Sequence, residues 1–367
     1  MVENNLAKLD HVLAGCKRLL ILTHDYPDPD ALASALLLSH LARKRYHLRT
    51  RLAHGGLIYR AENRALVQQL HIKLTHVNAI RWKQYRHIAL VDTQPDFGNH
   101  SLPAEIKPTV VFDHHHANAA TPVRFEDIRP NYGATVTILW EYLTAAELEM
   151  TADLATAVTY AIRTETQELG RDISPPDVEA YLKAYPKASK KKLAKILNPK
   201  LPKSYFLLLQ TALQNARVFR HAAHVHLGEV ESPELVAQIA DLLLRHERLS
   251  WALATGRFDN QLFVSMRCNN ADAHAGQILQ QIVGKMGTAG GHAMTAGGRM
   301  PLSQNGHADW QDLENLVIAR FLKKLRYAKD IEWKPLLGEE NDFQTTTNNH
   351  KTGITKNDLT NDETQNI

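Results

Sequence analysis

VVFDHHHAN, Val110–Asn118, ends a run of apolar, β-branched residues on one aspartate and three consecutive histidines. Such a run, bounded by polar residues, reads as a buried strand. Imidazoles directly after it point to a metal or a phosphate, although a histidine-rich surface turn explains this stretch taken alone. Two more runs have the same build, RLLILTH (18–24) and HIALVDT (87–93), and helical patterns separate all three. Strands buried on both faces and alternating with helices form a parallel sheet, so the fold class is α/β. In each run the polar residues come last: His24, then Asp92, then Asp113 with its histidines. The carboxyl ends of the strands in an open α/β sheet form its ligand crevice. Three strands therefore deliver acids and imidazoles to one edge.

The chain has 367 residues, enough for two domains, with 44% apolar and 22% charged residues, as in ordinary globular proteins. A formal charge of +4 is compatible with anionic substrates. Cys16 and Cys268 lie far apart, which excludes a disulfide framework and a CxxC zinc knuckle and suits a reducing compartment. At the N-terminus, Leu6, Leu9, Val12 and Leu13 fall on one helical face, so an amphipathic helix is expected there, not a signal peptide. The most apolar window, ALASALLLSHLAR, is interrupted by His40 and is too short to span a bilayer. The expected setting is cytoplasmic, with no membrane partner.

A parallel-sheet domain is expected over 1–185 and a basic linker over 186–204, where KAYPKASKKKLAKILNPKLPK is rich in lysine and proline. A smaller mixed α/β domain follows over 205–335. There RVFRHAAHVHLG (217–228), LSWALATG (249–256) and QLFVSMRC (261–268) read as strands, and SPELVAQIADLLLRH (232–246) and AHAGQILQQIVG (273–284) as helices. The tail, 336–367, has almost no apolar content and is expected to be disordered.

The richest motif is THDYPDPDALAS, Thr23–Ser34. Pro27 and Pro29 push Tyr26 and Asp28 toward extended backbone. Asp28 and Asp30, two apart, then project to one side, and Asp30 is also of a type to cap the helix that follows. A Pro-Asp turn with a capping aspartate is the plain alternative. Crowded carboxylates repel and titrate upward unless a cation joins them. Oxygen-rich ligation with some histidine and no thiolate favours manganese or magnesium. Two such ions about 3.5–4 Å apart, bridged by one aspartate, are a known device for phosphoester hydrolysis.

The set THDYPDPDA, LVDT and FDHHH resembles the DHH-family phosphoesterases. The second unit, with VSMR at 264–267 and GTAGGHAMTAGG at 287–298, resembles their associated C-terminal DHHA1 domain. The resemblance runs over about 15–330. It implies that His24 and Asp28 bind one divalent ion, Asp30 and His114 the other, and that Asp92 bridges the pair. It implies further that Asp113 orients the site and His115 touches the scissile phosphate. Arg267, Gly290, Gly291 and His292 are then implied to hold the far end of the substrate. His116 receives no role. Where the family usually has an aspartate in a TDT-like setting, this chain has RTETQEL with Glu165. Glu165 is the expected further ligand, its extra methylene adding a rotor to order; Asp172 is the possible substitute. HGGLIYRAENRALV (54–67) also resembles a recurrent family segment, with no chemistry assigned.

The expectation is a two-metal phosphodiesterase, with manganese first and magnesium as the alternative. It would cut short single-stranded oligonucleotides or linear dinucleotides to nucleoside monophosphates, and 3′-phosphoadenosine 5′-phosphate is a further substrate in this reading. A pyrophosphatase or polyphosphatase stands as the alternative enzyme, and a weakened nucleotide-binding regulator as the non-enzyme. A homodimer is left open.

Overall fold

The computed structural model describes residues 2–116, 121–170, 172–291, 293–302, 308–328 and 331–337. Its first sheet is built from β1 (Arg18–Leu22), β2 (Arg49–His54), β3 (Leu74–His76), β4 (Ile88–Val91), β5 (Val110–Asp113) and β6 (Phe125–Ile128). All neighbours run parallel, in the order β3-β2-β1-β4-β5-β6. β1, β4 and β5 are the three apolar runs read from the sequence. Their inner residues are wholly buried, and that is why they carry no alternation. The chain runs outward from β1 in one direction and restarts at β4 in the other. The reversal opens a crevice at the carboxyl ends of β1 and β4.

The helices of this unit are α1 (Val2–Leu13), α2 (Pro29–Arg45), α3 (Ala61–Gln69), α4 (Thr135–Ala145), α5 (Ala152–Glu165), α6 (Pro175–Ala184) and α7 (Lys190–Leu197). Ala31, Ala33, Ser34 and Ala35 of α2 are fully buried, small enough to let the helix lie close against its neighbours. Within the segment read as a linker, Ala188, Leu193 and Ile196 join the first hydrophobic core, while the lysines of α7 stay outside.

After α8 (Lys203–Asn215) a second, mixed sheet forms in the order β11-β12-β10-β9-β8-β7-β13. Its strands are β7 (Arg217–Phe219), β8 (Ala222–Glu229), β9 (Trp251–Phe258), β10 (Gln261–Cys268), β11 (Thr288–Gly291), β12 (Thr295–Pro301) and β13 (Lys334–Pro335). Helices α9 (Pro233–Leu244), α10 (Ala275–Val283) and α11 (Ala308–Lys324) cover it. The single strand read over 217–228 is a tight antiparallel hairpin, β7–β8. Its turn places Arg220 in left-handed backbone, φ 52°, with no glycine or asparagine to announce it. Most of the tail read as disordered, from 338 onward, lies outside the described residues. Among the described residues no helix is long and apolar enough to cross a membrane.

Candidate active site

Asp92 is the first residue past β4, 2% exposed and in left-handed backbone, φ 59°. That conformation, which aspartate tolerates better than most residues, ends the strand at the crevice. The two carboxylate oxygens of Asp92 face different histidines. Oδ2 lies 3.6 Å from His24 Nε2, and Oδ1 lies 3.7 Å from His114 Nε2. A threonine hydroxyl, Thr135 Oγ1, donates to Oδ1 at 2.8 Å and fixes the carboxylate plane.

The two histidines are oriented alike. His24 donates from Nδ1 to the Asp25 carbonyl at 2.9 Å, and His114 from Nδ1 to the Tyr132 carbonyl at 3.1 Å. A carbonyl only accepts, so in both rings Nδ1 carries a hydrogen and Nε2 is the nitrogen turned to the crevice, the one that would lend its lone pair to an ion displacing its proton. Proteins hold metal-binding imidazoles in this way. Asp28 Oδ2 lies 3.7 Å from His24 Nε2, and Asp30 Oδ2 lies 4.0 Å from His114 Nε2. Two atoms bonded to one ion at about 2.1 Å each are at most about 4.2 Å apart, so this spacing suits a shared cation. Among the described residues ligand atoms converge in two groups, His24–Asp28–Asp92 and Asp92–His114–His115; Asp92 is common to both, whereas the expected ligands Asp30 and Glu165 fall in neither, and His115, expected to touch phosphate, falls in the second.

The electrostatics fit a cation as well. Burial works against a charged imidazole, yet the Asp92 and Asp30 carboxylates hold His114 up at about 9. His24 is likewise well above its ordinary value, burial being outweighed by Asp28 and Asp92. Burial and then the Asp92 charge push the Asp30 carboxyl well up. Glu165, closing α5, is pushed up to about 7 by burial and then by Asp28. Buried acids that keep their protons for want of positive charge are relieved by a divalent ion.

Asp28 and Asp30 divide the work differently from the expectation. Asp28 caps α2, accepting the Ala31 amide at 2.9 Å in an extended backbone. Asp30 sits inside the first turn of α2 and caps another helix. Its oxygens accept the amides of Thr135 at 2.7 Å and Val136 at 2.8 Å, at the start of α4. The reason lies in α4, whose own cap position is Ala134, with no side chain to offer.

Asp113 is fully buried and accepts from Gln94 Nε2 at 2.7 Å, from its neighbour's amide, His114 N, at 2.9 Å, and from His115 Nδ1 at 2.8 Å. Burial lowers and the Asp113 contact raises the pKa of His115, with a net upward shift. The ring is half-buried and directs Nε2 away from Asp113. Gln94 and Thr135 were not singled out in the sequence; a helix opening on Gly-Ala without a cap residue was the only hint of the second.

In the second unit, Arg267 donates from Nε to Asp241 and from a terminal nitrogen to Ser265 Oγ at 2.8 Å. It lines a cavity of about 570 Å³ between the two units, with Arg163, Thr164, Arg245 and Thr295. Gly290 and Gly291 lie in β11 and differ in kind. A Cβ at Gly290 would meet open space, whereas one at Gly291 would stand 2.2 Å from the Thr295 carbonyl oxygen. Gly291 is thus required by its own fold, and Gly290 leaves room beside the backbone. His292 lies outside the described residues.

The family model described as the DHH family, N-terminal domain, matches residues 18–162, and the DHHA1 domain model matches 220–322. Together they span more than half of the chain. An uncharacterized protein of Methanocaldococcus jannaschii is 35% identical over 287 residues, 77% of this chain, and the chain spans 58% of that relative's length. An exopolyphosphatase-related protein from Bacteroides fragilis superposes with a TM-score of 0.68 at 12% identity, covering 88% of this chain and 98% of its own. That second likeness is one of fold.

Proposed function

The chain belongs to the DHH family of phosphoester hydrolases, its DHH domain followed by a DHHA1 domain, and from that premise we propose that it is a manganese-dependent phosphodiesterase. In this reading it hydrolyses short single-stranded oligonucleotides or linear dinucleotides to nucleoside monophosphates, with 3′-phosphoadenosine 5′-phosphate as a further substrate. The observation that carries it is the division of Asp92 between His24 and His114 at 3.6 and 3.7 Å.

His24 and Asp28 would hold one divalent ion and Asp30 and His114 the other, with Asp92 offering an oxygen toward each histidine and Glu165 as a further ligand. Such a pair would supply positive charge for the phosphoryl group and lower the pKa of a bound water. Asp113 keeps the His115 Nδ1 hydrogen engaged and favours the protonated ring. His115 Nε2–H then donates to a phosphate oxygen as negative charge builds in the transition state. Arg267, with the room left by Gly290, receives the distal phosphate or ribose; an arginine fork suits that task. The interdomain cavity is lined by Arg60, Arg163, Arg245 and Arg267 against Glu168 and Asp241, and this excess of positive charge supports an anionic substrate longer than one phosphate.

The deciding experiment offers the protein pApA, RNA and DNA oligomers of two to ten nucleotides, 3′-phosphoadenosine 5′-phosphate, pyrophosphate and tripolyphosphate. Each is tested with manganese, with magnesium and with EDTA, and products are separated by chromatography. Nucleoside monophosphates from the shortest oligomers, abolished by EDTA, are expected. Orthophosphate from pyrophosphate without cleavage of any diester would replace this reading with the pyrophosphatase one. Binding without turnover of any compound would make the chain a nucleotide-binding regulator.

A further inference from the structure

The segment HGGLIYRAENRALV, 54–67, has no residue in either group of ligand atoms, yet it is gripped from both sides. α3 starts after Arg60, whose side chain makes no cap. The amides of Tyr59 and Arg60 instead both donate to Glu234 Oε2, each at 2.9 Å. Glu234 belongs to the first turn of α9, in the second domain. One carboxylate thus faces the amino ends of two helices from two domains, where partial positive charge favours it. Two turns along α9, Asp241 accepts from Arg60 at 3.1 Å and also from Arg267. Tyr59 adds a hydroxyl bond to Glu231.

On the other side, Asn63 is 1% exposed and donates from Nδ2 to the Pro27 carbonyl at 3.2 Å. Pro27 is the residue before Asp28. Within five residues, therefore, the chain holds the backbone of the metal loop, the start of α9, and the carboxylate that Arg267 uses.

We infer that Tyr59–Asn63 is a positioning bracket that sets the reach from the metal edge to Arg267, with Arg60, Asn63 and Glu234 as positioning residues for substrates that engage both domains. The inference rests on the proposed diesterase reading for its kinetic arm only. A dinucleotide must meet the metals at one end and Arg267 at the other, so a small error in domain placement weakens its binding. A compact diester that fits the metal edge alone has no such requirement. The capping oxygen of Glu234, rather than its charge, carries the bracket, since two neutral amides are what it receives.

The test uses full-length Glu234→Ala and Glu234→Gln with two substrates, pApA and bis-p-nitrophenyl phosphate, and a spin-label distance between the exposed faces of α7 and α11. Glu234→Ala is expected to raise KM for pApA by about tenfold or more, while kcat/KM for the small diester stays within about twofold. Its interdomain distance distribution broadens, and Glu234→Gln, which keeps an acceptor oxygen, restores both readings. Equal loss on the two substrates, or an unchanged distance distribution, would overturn the bracket. If the wild-type protein cleaves neither compound, the diesterase reading fails while the spin-label arm still decides the bracket.

Discussion

Asp30 caps a helix that begins 105 residues further along the chain, accepting the backbone amide of Thr135 at 2.7 Å. The same carboxylate faces His114 across 4.0 Å. A residue read from the sequence as a metal ligand is therefore also the clamp between α2 and α4.

Removing the two neighbouring aspartates should separate these duties. Asp30→Ala strands the buried amides of Thr135 and Val136 and is expected to cost about 1–3 kcal/mol or more, even in EDTA. Asp28→Ala strands no amide of another helix: it gives up the Ala31 cap on α2, on the order of 1 kcal/mol, and the contact with His24 at 3.7 Å. Urea midpoints measured without metal report the difference. Equal midpoints for the two variants would contradict the clamp.

Asp92 and His115 should part company in metal analysis. Asp92→Ala is expected to lose both ions, because each group of ligand atoms depends on it. His115→Ala should retain metal and lose turnover by about 10²–10⁴-fold, the usual worth of a positioned proton donor. Elemental analysis beside initial rates suffices. Full metal content in Asp92→Ala would remove the shared-ligand assignment.

Glu165, the further ligand expected from the family resemblance, has its carboxyl pushed up to about 7 by burial and lies within the influence of Asp28 and Asp92. Glu165→Asp keeps the ligand type and changes only its reach, so activity should move by less than about tenfold, near 1.4 kcal/mol. Glu165→Ala should cost far more and recover in part at high manganese. Rates titrated against manganese show which holds, and a wild-type titration curve for the alanine variant would place Glu165 outside the site.

The interdomain carboxylate carries a pH signature. Burial pushes Glu234 up to about 7 from 4.5, with the Arg60 amide acting against it. A carboxyl whose pKa is raised on folding contributes fully below its unfolded value and loses that contribution as pH rises through the folded one. Stability should therefore decline from pH 4.5 to 7 through this group. Glu234→Gln, which does not titrate, should flatten that decline and gain on the order of 1–3 kcal/mol at pH 8 relative to wild type. Parallel pH–stability curves for the two proteins would dispose of it.

The architecture and the metal edge were legible because both are local. A run such as Val110–Phe112 is apolar on both faces for one reason, burial within a parallel sheet, and the residue after it must lie at the strand end. Hence His24, Asp92 and His114 could be brought together from three separated stretches. Other features depended on partners that no periodicity records. That Asp28 rather than Asp30 caps α2 follows from α4 arriving without a cap of its own and taking the carboxylate of Asp30. Gln94 and Thr135 matter only because packing sets them against Asp113 and Asp92. The hairpin at Arg220 hid its turn in a residue that rarely adopts left-handed backbone. Tyr59 and Arg60 gave no sign of their role, since the oxygen that satisfies their amides comes from Glu234 in another domain. Burial pattern belongs to each segment and is written in its sequence; the pairing of buried polar groups belongs to the packed whole, because a stranded amide accepts whichever oxygen the fold brings within reach.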